Sequence, residues 1–488
     1  MLSHLLIKIM RRCFFMTTNI PKNPNFPPLQ TDNFSLPNPE ELFITPEFER
    51  AEALIVARKN VLIHGKPGTG KSSFIKYIKN KYFAHCPYRY GRLAVLTPTG
   101  ISALNVQGQT AFSCLRINPK NYFEELSEWP LAQLGINLKT IETFVIDEIS
   151  MVRADLLDAI DLRLQQIFKT DLPFGGRQII LVGDFYQLPP VVVEDWQIDP
   201  QSFYFRQTYG RNQAFCFHSP SFYKSNLEPV EFTRIFRQGT ELDFMEHLSA
   251  IREEDENKLP AALEFFNKRV VAEYPENTTV LCPRNREVDA LNNQKLKELP
   301  ERSIRLVAEV DKVTNWSRVS GLPPRTLSLK KGAFVIILKN SSVDTYMNGT
   351  TGVVTDFIKE DGKVVAVSVE TKNGTFQITR ETWQKMRMNE QNEQEPDPRT
   401  HYTQFPLRLG WALTIHKSQG ITLDSGCIDV GEKGVWAAGQ LYVALSRIRS
   451  ISGLHLKTPL SRADVITDPQ VKMFNQVLQQ TIQEKMKG

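Results

Sequence analysis

Apolar positions along the chain fall into two kinds of pattern. From Pro46, PEFERAEALIVARK places Phe48, Ala51, Leu54 and Ile55 at helical spacing, the periodicity of a helix with one buried face. NVLIHG, RLAVLTPTG, TFVIDEIS and RQIILVGD are instead short, nearly continuous apolar runs ending in polar or small residues. Strands buried on both faces of a parallel sheet read this way. A helical stretch, SSFIKYIKNKYF, follows the first of them. The alternation predicts an α/β fold, a parallel sheet covered by helices with ligands at the strands' carboxyl ends. TTVLCPRN near 278–285 and SGCIDVG near 425–431 repeat the design and predict a second domain of the same kind.

Between those two strands the texture changes. GAFVIILKN, GTTGVVTDFI, KVVAVSVET and GTFQITR are β-rich, and Asp361-Gly362 and Asn373-Gly374 lie among them as hairpin-turn dipeptides. They predict a small antiparallel barrel inserted into the second α/β domain, followed by a polar, proline-bearing loop, MNEQNEQEPDPRTH. The tail DPQVKMFNQVLQQTIQEKMK offers Asp468 as N-cap and Pro469 in the first turn, a favoured helix start. Val471, Phe474, Val477 and Leu478 form its apolar face, which predicts docking to the core.

Composition narrows the classes. A chain of 488 residues implies two to four domains. The net charge of +5 from 59 basic and 54 acidic side chains permits a polyanionic partner without demanding one. Six cysteines lie far apart with no CxxC pair, which favours reduced thiols over zinc or disulfides. No apolar run reaches the ~20 residues of a membrane span, so no membrane partner is expected. The first thirty residues carry Lys8, Arg11, Arg12 and Lys22 and no acid. They read as a disordered, proline-rich arm over 1–44, with translation starting at Met1 or Met16. The expected location is the bacterial cytoplasm; a mitochondrial or nuclear one is the alternative if the first residues are a presequence.

The chemistry begins at GKPGTGKS, which fits G-x-x-x-x-G-K-[ST] between a strand and a helix. Gly65, Gly68 and Gly70 let backbone N–H groups curl around phosphate oxygens, with Pro67, Thr69 and Ser73 completing the cradle. Lys71 reaches the β- and γ-phosphates and Ser72 can ligate Mg²⁺, so ATP and Mg²⁺ are the expected cofactors. In VIDEIS, Asp147 ends an apolar strand, where a carboxylate can hold the metal, and Glu148 can position and deprotonate the attacking water. In LVGDFYQLPPV, Gln187 can hydrogen-bond both γ-phosphate and water.

In one order the chain carries GKPGTGKS, LTPTGISALNVQGQTAFS, VIDEISMVRADLLDAIDLRL, GDFYQLPPV, FTRIFRQ, YMNGTTGVV, LTIHKSQG and GQLYVALSR. Together they resemble the Pif-type branch of superfamily-one DNA helicases, relatives of the RecD helicases, over roughly residues 45–460. The resemblance implies two tandem RecA-like P-loop domains with ATP between them and single-stranded DNA across their top. It implies a Src-homology-three-like barrel in the second domain and a small strand-separating wedge within 113–140. The expected boundaries are 45–227 for the first domain, 228–310 with 402–460 for the second, 311–401 for the barrel and 461–488 for a C-terminal helix.

On this resemblance Arg237 and Arg447 match the family's finger positions, which would neutralise charge on the γ-phosphoryl group, and Gln419 and Gly420 face the nucleotide cleft. Candidate DNA grips are Thr97, Pro98, Thr99, Gly100 and Phe112 in the first domain. In the second they are Asn285, Lys339, Asn348, Thr414, His416 and Lys417. The implied activity is ATP-driven 5′-to-3′ translocation on single-stranded DNA and duplex unwinding, in repair, recombination, replication or telomere maintenance. Partners are single strands, junctions and duplex DNA, with G-quadruplex DNA a further candidate, and the free protein is expected to be monomeric. The alternatives are an ATP-switched single-stranded DNA clamp and a translocase subunit of a nuclease complex. Three positions depart from the family pattern. ITPEFERAEAL, about a helix upstream of the P-loop, offers no adenine-reading glutamine, Phe112 replaces a histidine, and Cys282-Pro283-Arg284-Asn285 replaces Thr-x-Asn.

Overall fold

The computed structural model describes residues 44–82, 92–98, 109–118, 121–192, 201–209, 214–236, 241–276, 278–312, 316, 322–339, 346, 349–384, 386–388, 394–396 and 398–487. The expected N-terminal arm lies outside them. The chain divides into two compact units, one built from residues up to 239 and from 467 onward, the other from 240–389 and 394–466. Among the described residues, no helix is long and apolar enough to cross a membrane.

Among the described residues the first unit is organised on six strands: β1 (Val61–Gly65), β2 (Leu93–Thr97), β3 (Gln109–Thr110), β4 (Thr143–Ile146), β5 (Gln178–Gly183) and β6 (Glu228–Phe232). Their order is β3-β2-β4-β5-β1-β6, and every pairing is parallel. The continuous apolar runs are therefore strands covered on both faces. Helix α1 (Pro46–Val56) starts where Thr45 Oγ1 accepts the Phe48 N–H. It buries Phe48, Ala51 and Ile55 against Val61 and Ile63 of β1, Phe74, Ile75 and Ile78 of α2 (Lys71–Tyr82), and Phe232. Fully burying a large apolar side chain contributes about 1.5–3 kcal/mol, so this cluster anchors the loop between β1 and α2. Helices α3 (Glu128–Leu138) and α4 (Ala154–Phe168) follow.

Strand β6 lies beyond the boundary expected at residue 227. It pairs with β1 from Val61↔Glu228 to Gly65↔Phe232, so Glu228–Phe232 is an edge strand of the first sheet, not the opening of a second domain. The C-terminal helix Pro469–Lys487 also belongs to the first unit. Its Lys485 pairs with Glu228, and its Gln479 donates to Glu231.

Among its described residues the second unit holds a parallel four-stranded sheet and a separate antiparallel system. The latter is β8 (Phe334–Ile337), β9 (Thr351–Glu360), β10 (Lys363–Thr371), β11 (Gly374–Thr379) and β12 (Leu407–Leu409), in the order β11-β10-β9-β8-β12. The parallel strands are β7 (Thr279–Cys282), β13 (Ala412–Thr414), β14 (Gly426–Ile428) and β15 (Leu454–Leu456), in the order β13-β7-β14-β15. Asp361 and Gly362 turn from β9 to β10 with φ 48° and 76°, the left-handed pair that a tight hairpin needs. The β-rich core draws in Leu407 and, from α5 (Asn285–Glu298), Leu296, so it extends on both sides of 311–401.

Candidate functional site

Strands β4, β5 and β1 are neighbours, and their carboxyl ends share one edge of the first sheet. Three of the sequence-predicted groups are delivered there. The glycine loop follows β1, Asp147 follows β4, and Gln187 lies four residues beyond the end of β5. Gly65, Gly68 and Gly70 have φ of 155°, 78° and 82°, values that residues with a Cβ rarely take. The Lys71 ammonium donates to the carbonyls of Gly65 (2.7 Å) and Lys66 (2.8 Å). Thr69, fully buried, donates its hydroxyl to Lys66 O at 2.8 Å. The Phe236 N–H donates to Gly68 O at 2.8 Å, and the Phe74 N–H to Gly70 O at 2.8 Å. With these carbonyls engaged, the loop suits an anion held by its N–H groups and the start of α2. Ser72 and Ser73 are exposed at that helix start.

Asp147 is buried, and its Oδ1 accepts the Glu148 N–H at 2.9 Å. Burial, and then the adjacent Glu148 carboxylate, push its carboxyl up to about 7; the Glu148 N–H and the Lys71 ammonium oppose the shift. Glu148 itself is left-handed, φ 54° and ψ 46°, a conformation costing roughly 1–2 kcal/mol for a residue with a Cβ. Gly183 explains how the turn is held. A Cβ there would come within 2.9 Å of the Ile149 N atom, so the end of β5 packs directly on the turn carrying Glu148. Gln187 is buried and donates its N–H to Asp184 O at 3.0 Å, closing a tight turn.

A carboxyl raised in the folded state binds its proton more readily there than in the unfolded chain. Its contribution to stability is complete below the ordinary value of 3.8 and is lost as pH climbs through about 7. Asp147→Asn should therefore raise the Tm of the metal- and nucleotide-free protein at pH 8, and the gain should shrink towards pH 5. Calorimetry at the two pH values checks this; an equal shift at both would contradict the assignment.

On the same sheet, Thr97 ends β2 and Pro98 follows it, while Phe112 lies just past β3. The Phe112 ring stands 5.5 Å from Tyr122, and the Arg153 guanidinium lies 5.2 Å from the Tyr122 ring. Thr99, Gly100, Arg237 and Asn348 lie outside the described residues.

In the second unit, β7 and β13 are paired, Cys282 opposite Thr414, so Asn285 and the LTIHKSQG segment emerge from adjacent carboxyl ends. The Lys417 ammonium donates to Asn285 Oδ1 at 3.4 Å, and the Lys417 N–H donates to Thr414 Oγ1 at 3.3 Å. Burial, and then Arg408, lower the Lys417 ammonium from its ordinary value. Burial likewise lowers His416, which favours a neutral ring. That ring stacks on Trp436, centroids 5.7 Å apart and planes at 15°. Trp436 is 56% exposed and donates its indole N–H to Pro283 O at 3.3 Å. Sequence reasoning missed this residue; an indole between glycines in GEKGVWAAGQ was the available signal. Arg284 donates to Gly434 O at 3.0 Å and pairs with Glu287.

Lys339, just past β8, forms an ion pair with Glu381. Arg447 ends α6 (Gln440–Arg447) and is 2% exposed. Its guanidinium donates to Val443 O at 3.0 Å and to Ile421 O at 3.5 Å. It therefore rests against the residue that follows Gly420, whose φ of 80° turns the chain away from buried Gln419.

A parallel sheet presenting a glycine loop, a buried Asp-Glu turn and a glutamine turn at one edge defines a P-loop nucleotide-binding protein. The family model described as PIF1-like helicase matches residues 50–214, and that of the DNA helicase Pif1 2B domain matches residues 314–357. The chain is 30% identical over 428 residues to the ATP-dependent DNA helicase Pif1 of Campylobacter jejuni, covering 82% of this chain and 89% of that one. It is 32% identical over 444 residues to the ATP-dependent DNA helicase PIF1 of Danio rerio, covering 86% of this chain and 61% of that one. It thus spans about three fifths of that vertebrate relative's length. The crystal structure of Bacteroides sp Pif1 in complex with ADP-AlF4 matches at TM-score 0.73 and 31% identity, over 90% of this chain and 98% of that one. The chain belongs to the Pif1 family of helicases.

Proposed function

We propose that the protein is an ATP-dependent DNA helicase that moves 5′ to 3′ on single-stranded DNA. The observation that carries this reading is the shared strand edge, which delivers Lys71, Asp147, Glu148 and Gln187 together. Lys71 neutralises phosphate charge, Glu148 takes the proton of the attacking water, and Gln187 orients that water. Ser72 and Asp147 are a hydroxyl and a carboxylate, the hard oxygen donors Mg²⁺ takes. They would hold that ion, which when bound neutralises charge on the β- and γ-phosphates. Arg237 and Arg447 would supply further positive charge, the latter by leaving its carbonyl partners.

DNA would be held by Thr97, Pro98, Thr99, Gly100 and Phe112 in the first unit, and by Asn285, Lys339, Asn348, Thr414, His416 and Lys417 in the second. Hydroxyls, amides and ammonium groups suit phosphates and position a strand without reading its sequence. The proteins of Bacteroides solved in complex with ADP-AlF4 and bound to ssDNA support both ligands. The β-rich insert would be a Src-homology-three-like barrel, and the segment around α3 a strand-separating wedge. Duplex and forked DNA are the proposed substrates.

The test is strand displacement on paired substrates with a 5′ or a 3′ overhang. Unwinding only of the 5′-tailed substrate is expected, and preference for the 3′ tail would overturn the polarity. A second expectation concerns the stacked pair. A neutral ring stacked on an exposed indole offers a face for bases, worth about 1–3 kcal/mol per base. His416→Ala should therefore weaken single-stranded DNA binding roughly fivefold or more and leave nucleotide binding within twofold. Fluorescence anisotropy with labelled DNA and labelled nucleotide checks both, and loss of nucleotide binding with DNA affinity intact would refute it.

A further inference from the structure

We infer that the C-terminal helix Pro469–Lys487 positions Gln187 through an aromatic contact between Phe474 and Phe185, making Phe474 a positioning residue for ATP hydrolysis. The inference rests on the ATPase reading above and extends it to a helix far from the site in sequence.

Phe474 is fully buried. Its ring stacks on Phe217, centroids 4.3 Å apart at 15°, and meets Phe185 edge-on at 5.1 Å and 82°. Phe185 also meets Phe217 at 5.5 Å. Phe185 belongs to the Asp184–Gln187 turn, which is closed by the Gln187 N–H to Asp184 O bond and by the Tyr186 N–H to Asp184 Oδ1 bond. A turn bonded this tightly moves as a unit, so the ring that seats Phe185 also sets where Gln187 stands. The helix reaches the other flank of the site as well. Its Gln479 and Lys485 hold Glu231 and Glu228 of β6, and β6 ends at Phe232, packed on Gly65 of the glycine loop. The catalytic edge is thus braced on two sides by one helix. Displacement of about 1 Å at a group that orients a reactant can cost 10²-fold in rate, so a packing change at Phe474 should register as chemistry.

The test compares wild type, Phe474→Ala, Phe474→Leu, Gln187→Ala and the Phe474→Ala/Gln187→Ala double variant in DNA-stimulated ATP hydrolysis. ADP and ADP–aluminium fluoride binding are measured beside it. Phe474→Ala should lower kcat at least tenfold, with KM for ATP and ADP affinity within twofold. It should weaken the ADP–aluminium fluoride complex, which mimics the state Gln187 stabilises. Phe474→Leu, which keeps apolar bulk but loses the ring that meets Phe185, should fall between wild type and Phe474→Ala. The double variant should be no slower than Gln187→Ala alone, because both changes remove one function. If Phe474→Ala does not fold, Phe474→Leu must still weaken ADP–aluminium fluoride more than ADP. A folded Phe474→Ala with unchanged kcat, equal loss of ADP and transition-state-mimic binding, or additive losses in the double variant would overturn the inference. So would a Phe474→Leu variant that binds both ligands like wild type when Phe474→Ala is unfolded. A wild-type protein without DNA-stimulated hydrolysis would instead remove the ATPase reading itself.

Discussion

Glu148→Gln is expected to bind ATP as wild type does and to hydrolyse it about 10²–10⁴-fold more slowly, the usual worth of a general base. Lys71→Ala should lose both binding and hydrolysis. The two changes separate because the residues do different work at one edge. Lys71 Nζ stands over the loop carbonyls of Gly65 and Lys66 and is the charge that phosphate meets. Glu148 carries the base on a turn fixed by its own left-handed backbone and by the close approach of Gly183. Gln has nearly the same shape, so the turn should survive and only proton removal is lost. Nucleotide titration followed by steady-state phosphate release checks the pair. Hydrolysis by Glu148→Gln within tenfold of wild type would show that another group is the base.

Gly65→Ala should destabilise the first unit by about 2–4 kcal/mol and abolish phosphate binding with it. The physical cause is local. At φ 155°, a Cβ on residue 65 would lie 2.3 Å from Phe232 O and 3.2 Å from its carbonyl carbon. The clash is with backbone, so no rotamer relieves it, and β6 must separate from β1. Gly362→Ala makes the contrast. It shares a positive φ of 76° but has nothing within 4 Å, so it should cost only about 1 kcal/mol. Thermal unfolding of the two variants beside wild type reads the difference, and equal shifts would show that crowding at residue 65 is relieved elsewhere.

The parallel strands were legible because burial on both faces leaves an uninterrupted apolar run, as in VLIHG ending at Gly65, TFVI leading into Asp147 and IILVG ending at Gly183. β6 was not, because EPVEF carries two acids. Those acids are answered by Gln479 and Lys485, about 250 residues away in the chain, and no local pattern encodes that. The nucleotide edge was legible for a related reason: its residues sit at fixed offsets from strand ends, and strand order then brings them together. The surroundings of the proposed DNA grips were less so. The His416–Trp436 stack joins positions twenty apart through loop geometry, and the ion pair of Lys339 with Glu381 crosses the β-rich insert. Arg447 was legible by motif, but its engagement with Val443 and Ile421 carbonyls follows from how α6 packs.

The return of the C-terminal helix to the first unit bears on how the protein is made. Phe185, Phe217 and Phe222 share Phe474 as a cover, yet that residue leaves the ribosome more than two hundred residues after β6. At ~5–20 residues per second this is a delay of roughly 10–50 s. For that interval a nascent first unit carries its whole glycine loop and an uncovered aromatic face. A message cut short before Phe474 would therefore yield a sticky, chaperone-bound fragment rather than a free-standing ATPase.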